Sequence, residues 1–496
     1  MKDAFKLVSW LSIITVTIAC VISSLINDTV GTAIAFGIMG AVACGLWGAF
    51  LVYLFGVRRR IKRFLGISLK NATFLDKEVG ATRINDVRQA LESLYKDKSS
   101  STARYGIKFG YNVQLSSLQE GNTEVSKLQW TTAEIQPGEY QLFPTNALYL
   151  LRWDDIPCVV CLNSSQEPPP WDFEEEAEGV VAKNGQRLQV FAQTLDDAAK
   201  VLNLIMAEAS ARSVYRGKML HVSPRGPSLP GHFVRVAELP KTHKDRIVLP
   251  VEVLEVIHRA VLTRLRFSRL LQHHGHTSKT AILLHGLPGT GKTLVTKYLI
   301  NLCENHTAII PTGMETETIR EAFRMAVYLQ PSIIVIEDVD LLAERRETNA
   351  NVTGLQELLN EMDGLTPSTD AIILMSTNRP EVLEPALASR PGRVSQAVSF
   401  PLPSTEHRER LLRLFAASTN IDQLDVRRWV KRTDGASPAF LEELVKRSII
   451  IAAERVDADH AETPLDLIDQ DFDQAIHELV VFGGTLTSNV LGFVEG

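Results

Sequence analysis

The stretch GLPGTGKT, residues 286–293, constrains the fold of this chain more than any other feature. It follows the apolar hexapeptide TAILLH and precedes LVTKYLINLCEN, whose apolar residues have helical spacing. A phosphate-binding loop requires this strand–loop–helix order, because glycines let backbone N–H groups face the phosphates and the helix N-terminus favours an anion. The stretch therefore predicts a nucleotide site on an α/β sheet.

The residue types of the loop predict separate roles. Lys292 is expected to reach the β- and γ-phosphates, and the Thr293 hydroxyl is expected to bind a magnesium ion. The residues expected to contact the nucleotide are Gly286, Leu287, Pro288, Gly289, Thr290, Gly291, Lys292, Thr293 and Leu294.

Three apolar runs further along the chain predict the rest of the sheet. They are TAIIP, SIIVIED and AIILMSTN, which begin at residues 307, 332 and 371. Continuous apolar runs are typical of parallel strands covered on both faces, and such sheets bind ligands at the carboxyl ends of their strands. Glu337, Asp338 and Asn378 lie at those ends. We expect Glu337 to hold the magnesium ion through a bound water, and Asn378 either to contact a water or the γ-phosphate or to cap a turn.

Two uncharged runs near the N-terminus, residues 7–26 and 30–57, predict a transmembrane hairpin. Each run is long enough for a membrane-spanning helix, which needs about 20 apolar residues. Buried core helices are the alternative, but neither run has a polar face. Lys2 and Lys6 precede the first run and five cations lie within residues 58–63, so the positive-inside rule predicts two spans with both termini in the cytoplasm.

Between the basic segment and the phosphate loop, the chain has a mixed and soluble composition. Helical and strand-like patterns over residues 64–224 predict an α+β middle domain. Four prolines and two glycines between Pro224 and Pro240 predict a linker over residues 225–246. The net charge of −6 gives no support for a nucleic-acid partner.

Two clusters have the spacing of metal or redox sites. Cys158 and Cys161 have CxxC spacing, but no second Cys or His pair accompanies them, and buried core cysteines are the favoured interpretation. His273, His274 and His276 lack a nearby carboxylate or thiol that could complete a metal site. With five cysteines in 496 residues, the chain has no disulfide framework, which suits a reducing compartment.

Four segments near or after the phosphate loop occur in the order of one family: REAFRMAVYLQPSIIVIEDVDLL, LQELLNEMDGL, STNRPEVLEPAL and RPGRV. Over about residues 247–496 the chain resembles the AAA family of ATPases. The resemblance implies an α/β fold with a doubly wound parallel sheet over residues 247–402, and a helical lid with a C-terminal tail over residues 403–496. It also implies ATP and Mg²⁺ as ligands.

The same resemblance implies roles for individual residues. Asp338 would orient the attacking water beside Lys292, and Asn378 would be the first sensor. Arg390 and Arg393 would be arginine fingers that reach the nucleotide of the next subunit in a homohexameric ring. Surface arginines at a turn are the alternative for these two residues.

The chain departs from the family pattern at four points. Glu337-Asp338 reverses the usual Asp-Glu order, one extra residue precedes Arg390, and Pro438-Ala439 stands where Gly-Ala is usual. The stretch IIPTGMETETIRE lacks the aromatic–apolar–glycine loop of most AAA unfoldases.

Two members of the family have N-terminal membrane segments that invite comparison. The reversed acids and the missing loop are similar to the mitochondrial AAA translocase of the Rieske iron–sulfur protein. Membrane AAA proteases carry HExxH, whereas His477-Glu478 is followed by no second histidine. The chain is therefore not expected to be such a protease.

These features predict a membrane-anchored AAA ATPase that couples ATP binding and hydrolysis to remodelling or translocation of a protein partner. The middle domain is expected to select that partner. The alternative is a nucleotide-gated scaffold or signalling module, in which ATP controls assembly of the ring.

Overall fold

The computed structural model describes thirteen segments of the chain: residues 60–67, 71–80, 82–96, 101–108, 124–164, 186–224, 232–276, 279–313, 315–344, 354–366, 368–383, 393–456 and 465–482. Both predicted membrane spans lie outside these segments. Within them, no helix combines the length and the apolar character that crossing a membrane requires. The described residues divide into two compact units, with the division near Val214.

A six-stranded antiparallel sheet, in the order β1-β8-β7-β6-β2-β3, forms the first unit together with a separate hairpin, β4-β5. The strand bounds are Thr73–Val79 (β1), Ser101–Lys108 (β2), Glu124–Ser126 (β3), Trp130–Gln136 (β4), Glu139–Pro144 (β5), Ala147–Trp153 (β6), Ile156–Ser164 (β7) and Gln186–Ala192 (β8). The predicted break between β6 and β7 is confirmed, because Asp154 and Asp155 both have positive φ, as in a tight hairpin turn.

The two faces of this sheet are covered by different helices. Helices α2 (Ile84–Lys96) and α3 (Leu195–Ala211) pack on one face. On the other face, residues 60–65 form a short helix, α1. The predicted α+β character of the middle domain is thereby confirmed.

Helix α1 is part of the core of this unit. The side chains of Ile61 and Leu65, one helical turn apart, are 1% and 0% exposed in a cluster that contains Phe191. The Gln193 side-chain amide donates a hydrogen bond to the carbonyl of Leu65 at 2.6 Å. The predicted boundary after residue 63 is therefore wrong, because it would cut through a helix that the sheet buries.

The CxxC cysteines lie on opposite faces of the same sheet. Cys158 packs with the residues of α2 and α3, whereas Cys161 packs with those of α1. Both thiols are free and buried, and burial raises the pKa of Cys158 to about 12. The interpretation of buried core cysteines is confirmed, and no His, Cys, Asp or Glu cluster in the described segments has the arrangement of a metal site.

The second unit contains a seven-stranded sheet in the order β10-β9-β12-β13-β14-β11-β15. All neighbouring strands are parallel except β10 and β9. The strand bounds are Met219–Pro224 (β9), His232–Ala237 (β10), Thr280–His285 (β11), Thr307–Pro311 (β12), Ser332–Ile336 (β13), Ala371–Thr377 (β14) and Gln396–Ser399 (β15). Every residue of β13 and β14 is buried, as expected for central parallel strands.

Strands β9 and β10 correct the predicted domain boundaries. β9 was expected in the middle domain, and β10 falls inside the predicted linker over residues 225–246. In the structure β9 pairs with β12, so both strands extend the nucleotide-binding sheet. The proline-rich composition indicated a linker, but β10 pairs with β9, and β9 in turn pairs with the distant strand β12.

Helices surround the sheet and then form a lid of their own. The bounds of the remaining helices are Val251–His258 (α4), Arg264–Arg266 (α5), Ser268–His273 (α6), Lys292–Leu302 (α7), Thr316–Tyr328 (α8), Leu341–Glu344 (α9), Gly354–Gly364 (α10), 380–383 (α11), Thr405–Phe415 (α12), Val426–Arg432 (α13), Pro438–Val456 (α14) and Asp469–His477 (α15). Trp429, Phe440 and Phe472 are almost fully buried in the core of the last four helices. The predicted helical lid is present from Thr405 onward.

Candidate nucleotide-binding site

The phosphate loop joins β11 to α7 in a conformation that depends on its glycines. Gly286 has φ +147°, and a Cβ on it would lie 2.5 Å from the carbonyl oxygen of Phe400. Gly289 and Gly291 have φ +72° and +96°, which side chains rarely adopt. The sequence forms this loop because glycine alone satisfies both the close approach and the left-handed backbone.

A cavity of about 480 Å³ lies over this loop. Its size is within the range of about 300–1,000 Å³ that small-molecule sites occupy. Seven of the nine predicted contact residues line it, from Pro288 to Leu294, whereas Gly286 and Leu287 do not. The other walls come from residues 246–249, from the ends of β13 and β14, and from the lid residues Leu411, Phe415, Pro438, Ala439 and Glu442.

Lys292 is buried and its ammonium group is held by the loop. Its Nζ donates hydrogen bonds to the carbonyls of Gly286 at 2.8 Å and Leu287 at 2.9 Å. Burial lowers the pKa of Lys292, and the negative charges of Asp338 and Asp340 oppose this shift. The ammonium therefore lies on the floor of the cavity, where phosphate oxygens can compete with the loop carbonyls for its protons.

Asp338 and Asn378 are brought together at the carboxyl ends of β13 and β14. The Asn378 side-chain amide donates a hydrogen bond to Oδ1 of Asp338 at 3.1 Å, and both residues line the cavity. Burial, followed by the charges of Asp340 and Glu337, raises the pKa of Asp338, while Lys292 lowers it. A carboxylate in this position can accept a proton from a water that attacks the terminal phosphate.

The backbone of Asp338 explains why Glu337 is placed differently from expectation. Strand β13 ends at Ile336, and Asp338 has φ +49°, so the alternation of strand side chains does not continue through the two acids. Glu337 is half-buried and is not among the described residues that line the cavity. Asp338 lines the cavity and Glu337 does not, so a contact of Glu337 with magnesium would have to run through a bound water, as predicted.

Sequence reasoning missed two residues that hold this arrangement. The Thr377 hydroxyl donates a hydrogen bond to Oδ1 of Asp340 at 2.7 Å and accepts one from the Arg379 amide at 2.9 Å. Asp340 and Thr377 are 5% and 0% exposed. Since Thr377 directly precedes Asn378, the buried pair fixes the end of β14. In the sequence, the third acid, Asp340, two residues after Asp338, could have indicated this pair.

Comparison with known proteins agrees with this geometry. Residues 282–402 match the family model of the ATPase family associated with various cellular activities (AAA). Residues 282–402 form an AAA ATPase domain. The matched segment contains the phosphate loop from Gly286, both acids and Asn378.

Relatives of the AAA domain include proteins of archaea. The chain is 31% identical over 261 residues to the proteasome-activating nucleotidase of Methanosphaerula palustris, which covers 49% of this chain and 61% of the relative. It is 31% identical over 253 residues to a cell division cycle protein 48 homolog of Archaeoglobus fulgidus, covering 46% of this chain and 34% of the relative. The chain thus spans about three-fifths of the length of this proteasome-activating nucleotidase and about one-third of the length of the cell division cycle protein 48 homolog.

Of the two predicted arginine fingers of the AAA domain, the structure describes one. Arg390 lies outside the described residues. Arg393 donates to the carboxylate of Asp363 in the same subunit, and its side chain is only 10% exposed. This position differs from an arginine that projects freely towards a neighbouring subunit, so Arg393 must leave Asp363 before it could act in trans.

The lid touches the phosphate loop directly. The Ala439 amide donates a hydrogen bond to the carbonyl of Gly289 at 3.1 Å. Pro438 is the first residue of α14, a position where proline is tolerated because its missing N–H would have no partner inside the helix. The Pro-Ala departure from the family pattern therefore preserves the start of the helix and leaves one amide for the loop.

The oxygen donors that line the cavity fit a magnesium ion. Thr293 at the start of α7 supplies a hydroxyl, and Asp338 supplies a carboxylate. Magnesium prefers such ligands and usually keeps several waters together with phosphate oxygens. Thr293 remains the predicted metal ligand that faces the cavity, and the contact of Glu337 through a bound water stays a prediction.

Proposed function

We propose that this protein is a membrane-anchored AAA ATPase that couples ATP binding and hydrolysis to remodelling or translocation of a protein partner. The observation that carries the proposal is that the phosphate loop, Asp338 with Asn378, and the lid all line one cavity. In this cavity, groups that can bind phosphates and activate water lie next to the helical lid, which can move.

The residues of the cavity divide the chemistry between them. The amides of the loop and Lys292 bind the phosphates, and Mg²⁺, when bound, supplies positive charge to the phosphate oxygens. Ionised Asp338 orients the attacking water and accepts its proton. Asn378 holds the Asp338 carboxylate through the 3.1 Å hydrogen bond. Because Asp is one methylene shorter than Glu, we expect slow hydrolysis that speeds up when the site tightens.

Movement is transmitted through the lid and through a ring. The hydrogen bond from Ala439 to Gly289 links the loop to α14, so a nucleotide that displaces the loop also displaces the lid. In a homohexamer, Arg390 and a released Arg393 would approach the nucleotide of the next subunit. A finger of this kind is worth about a thousandfold or more in rate.

The membrane part of the proposal rests on the sequence. The uncharged runs over residues 7–26 and 30–57 would span the bilayer twice, with both termini on the cytoplasmic side. Protease digestion of sealed vesicles tests this, because tags at both termini should be cut from the same side. Protection of one tag alone would contradict the hairpin.

The partner is handled without a gripping aromatic loop. Strand β12 ends at Pro311 and α8 begins at Thr316, so four residues, 312–315, connect them. None of the four is aromatic. An aromatic side chain would supply large contact area to an extended chain. We therefore favour movement of a folded partner, as in the Rieske-protein translocase that the sequence resembles, over threading.

The decisive test measures nucleotide binding and hydrolysis by the full chain in lipid nanodiscs. Lys292→Ala removes the ammonium that phosphate oxygens would bind in place of the carbonyls of Gly286 and Leu287, so ATP should bind about a hundredfold more weakly. Lys297→Ala is the matched control, because Lys297 lies on the same helix, is exposed and does not line the cavity. Equal ATP affinity in both variants would refute the site.

A second measurement distinguishes an ATPase that remodels or translocates a partner from the scaffold alternative. Asp338→Asn should bind ATP without hydrolysing it, and a partner captured on this variant should stimulate hydrolysis by the parent protein. In the scaffold alternative, ATP changes the mass of the assembly while the captured partner leaves the hydrolysis rate unchanged.

A further inference from the structure

The lid contributes one acidic side chain, Glu442, to the wall of the nucleotide cavity. Pro438, Ala439 and Glu442 line the cavity together, as residues three and four apart on one face of α14 do. Glu442 is exposed, and in the described segments no ion pair occupies its carboxylate. The next residue, Glu443, is absent from the cavity wall and pairs with Arg447 at 3.2 Å.

The position of the first turn of α14 limits which part of a bound nucleotide Glu442 can reach. The hydrogen bond from Ala439 to Gly289 holds the first turn of the helix against the phosphate loop. Glu442 is three residues further along, a rise of about 4.5 Å. The apolar lining, which includes Val248, Leu411 and Phe415, offers a surface for a purine base. A rise of this size is enough to carry Glu442 from the level of the phosphates to the level of the sugar of a bound nucleotide.

The chemistry of a carboxylate limits what it can bind there. It repels phosphates, and as an ionised group it only accepts hydrogen bonds. ATP offers three kinds of donor at neutral pH: the 2′-hydroxyl, the 3′-hydroxyl and the amino group of the base. The amino group lies at the far edge of the base, whereas both hydroxyls adjoin the phosphate end.

We infer that Glu442 accepts a hydrogen bond from a ribose hydroxyl and makes the affinity of this site depend on that hydroxyl. A carboxylate that accepts from a ribose hydroxyl is an established device in other nucleotide-binding folds. The inference rests on the proposed function, since it takes an adenine nucleotide as the ligand of the cavity. Glu442 is a specificity-determining residue and takes no part in hydrolysis.

The test compares binding of ADP, 2′-deoxy-ADP and 3′-deoxy-ADP to the full chain by titration calorimetry. The diphosphates carry the sugar contact and are not hydrolysed during the titration. The parent protein should bind ADP about five- to tenfold more tightly than one of the deoxy analogues, which corresponds to one hydrogen bond to an exposed charged group. Glu442→Ala should weaken ADP binding to the level of that analogue and leave the analogue unchanged.

Glu443→Ala is the matched control, because it removes the same charge from the same helix outside the cavity. It should keep the parent's preference for ADP. Equal binding of all three nucleotides by the parent, or an unchanged preference in Glu442→Ala, would overturn the inference. If the parent binds none of the three, the proposed function fails first, so the two failures are distinguishable.

Discussion

Replacing Thr377 with valine removes a buried hydroxyl while keeping the branched shape that suits the strand. The hydroxyl makes two hydrogen bonds, one to the Asp340 carboxylate at 2.7 Å and one from the Arg379 amide at 2.9 Å. A bond to a charged group contributes about 1.5–3 kcal/mol and a neutral one about 1 kcal/mol. We therefore expect Thr377→Val to lower the free energy of unfolding by about 2–4 kcal/mol.

The assay is thermal unfolding of the second unit together with ATP hydrolysis. For a unit of this size, about 2–4 kcal/mol corresponds to a melting temperature about 5–15 °C lower. The rate of ATP hydrolysis should fall about ten- to a hundredfold. Without the hydrogen bond of Thr377 to Asp340, Asn378 shifts, and a small shift of a group at the reacting centre slows the reaction strongly. Thr377→Ser keeps the hydroxyl and should lose only about 1 kcal/mol, for one methyl group. If valine is tolerated as well as serine, the buried pair does not hold the end of β14.

Three further outcomes are expected. Burial, followed by the charge of Asp340, raises the pKa of Asp338, so hydrolysis should be lost as the pH falls through this raised value. Asp340→Asn should move that loss to lower pH, and an unchanged pH–rate profile would contradict the role of Asp338. Arg393→Ala should retain nucleotide binding and lose most hydrolysis. Asp363→Asn frees the arginine and should raise the rate of ATP hydrolysis in assembled rings. Identical steady-state rates in both variants would exclude a role for the ion pair of Arg393 with Asp363. Ile61→Ala should destabilise the middle domain by about 2–4 kcal/mol in thermal melts, while the exposed Lys62→Ala should change it by less than about 0.5 kcal/mol.

The central sheet and the phosphate loop were predictable because their signals are local. TAILLH became β11 over the same six residues, and GLPGTGKT became the loop with its three left-handed glycines. Each of these segments contains in its own residues the apolar run or the glycines that its structure requires. The seven cavity-lining residues from Pro288 to Leu294 were predictable for the same reason.

The errors arose where distant residues decide the structure. β9 pairs with β12, which lies far along the chain, and the residues of β9 and β10 give no sign of that pairing. The left-handed backbone of Asp338 is tolerated by aspartate more than by most residues, but no residue type demands it. Periodicity therefore placed both acids on a strand, whereas the structure ends that strand before them.

The burial of helix α1 limits the length of the tether that precedes the middle domain. Four residue steps separate Val57, the end of the second uncharged run, from Ile61, which is fixed in the core of the domain. Four steps of extended chain reach about 14 Å at most. If the uncharged runs span a bilayer, any partner that the middle domain binds is therefore confined to a thin layer at the membrane surface. For a partner held in the same membrane, the short tether raises the effective concentration of the middle domain, because both are restricted to that layer.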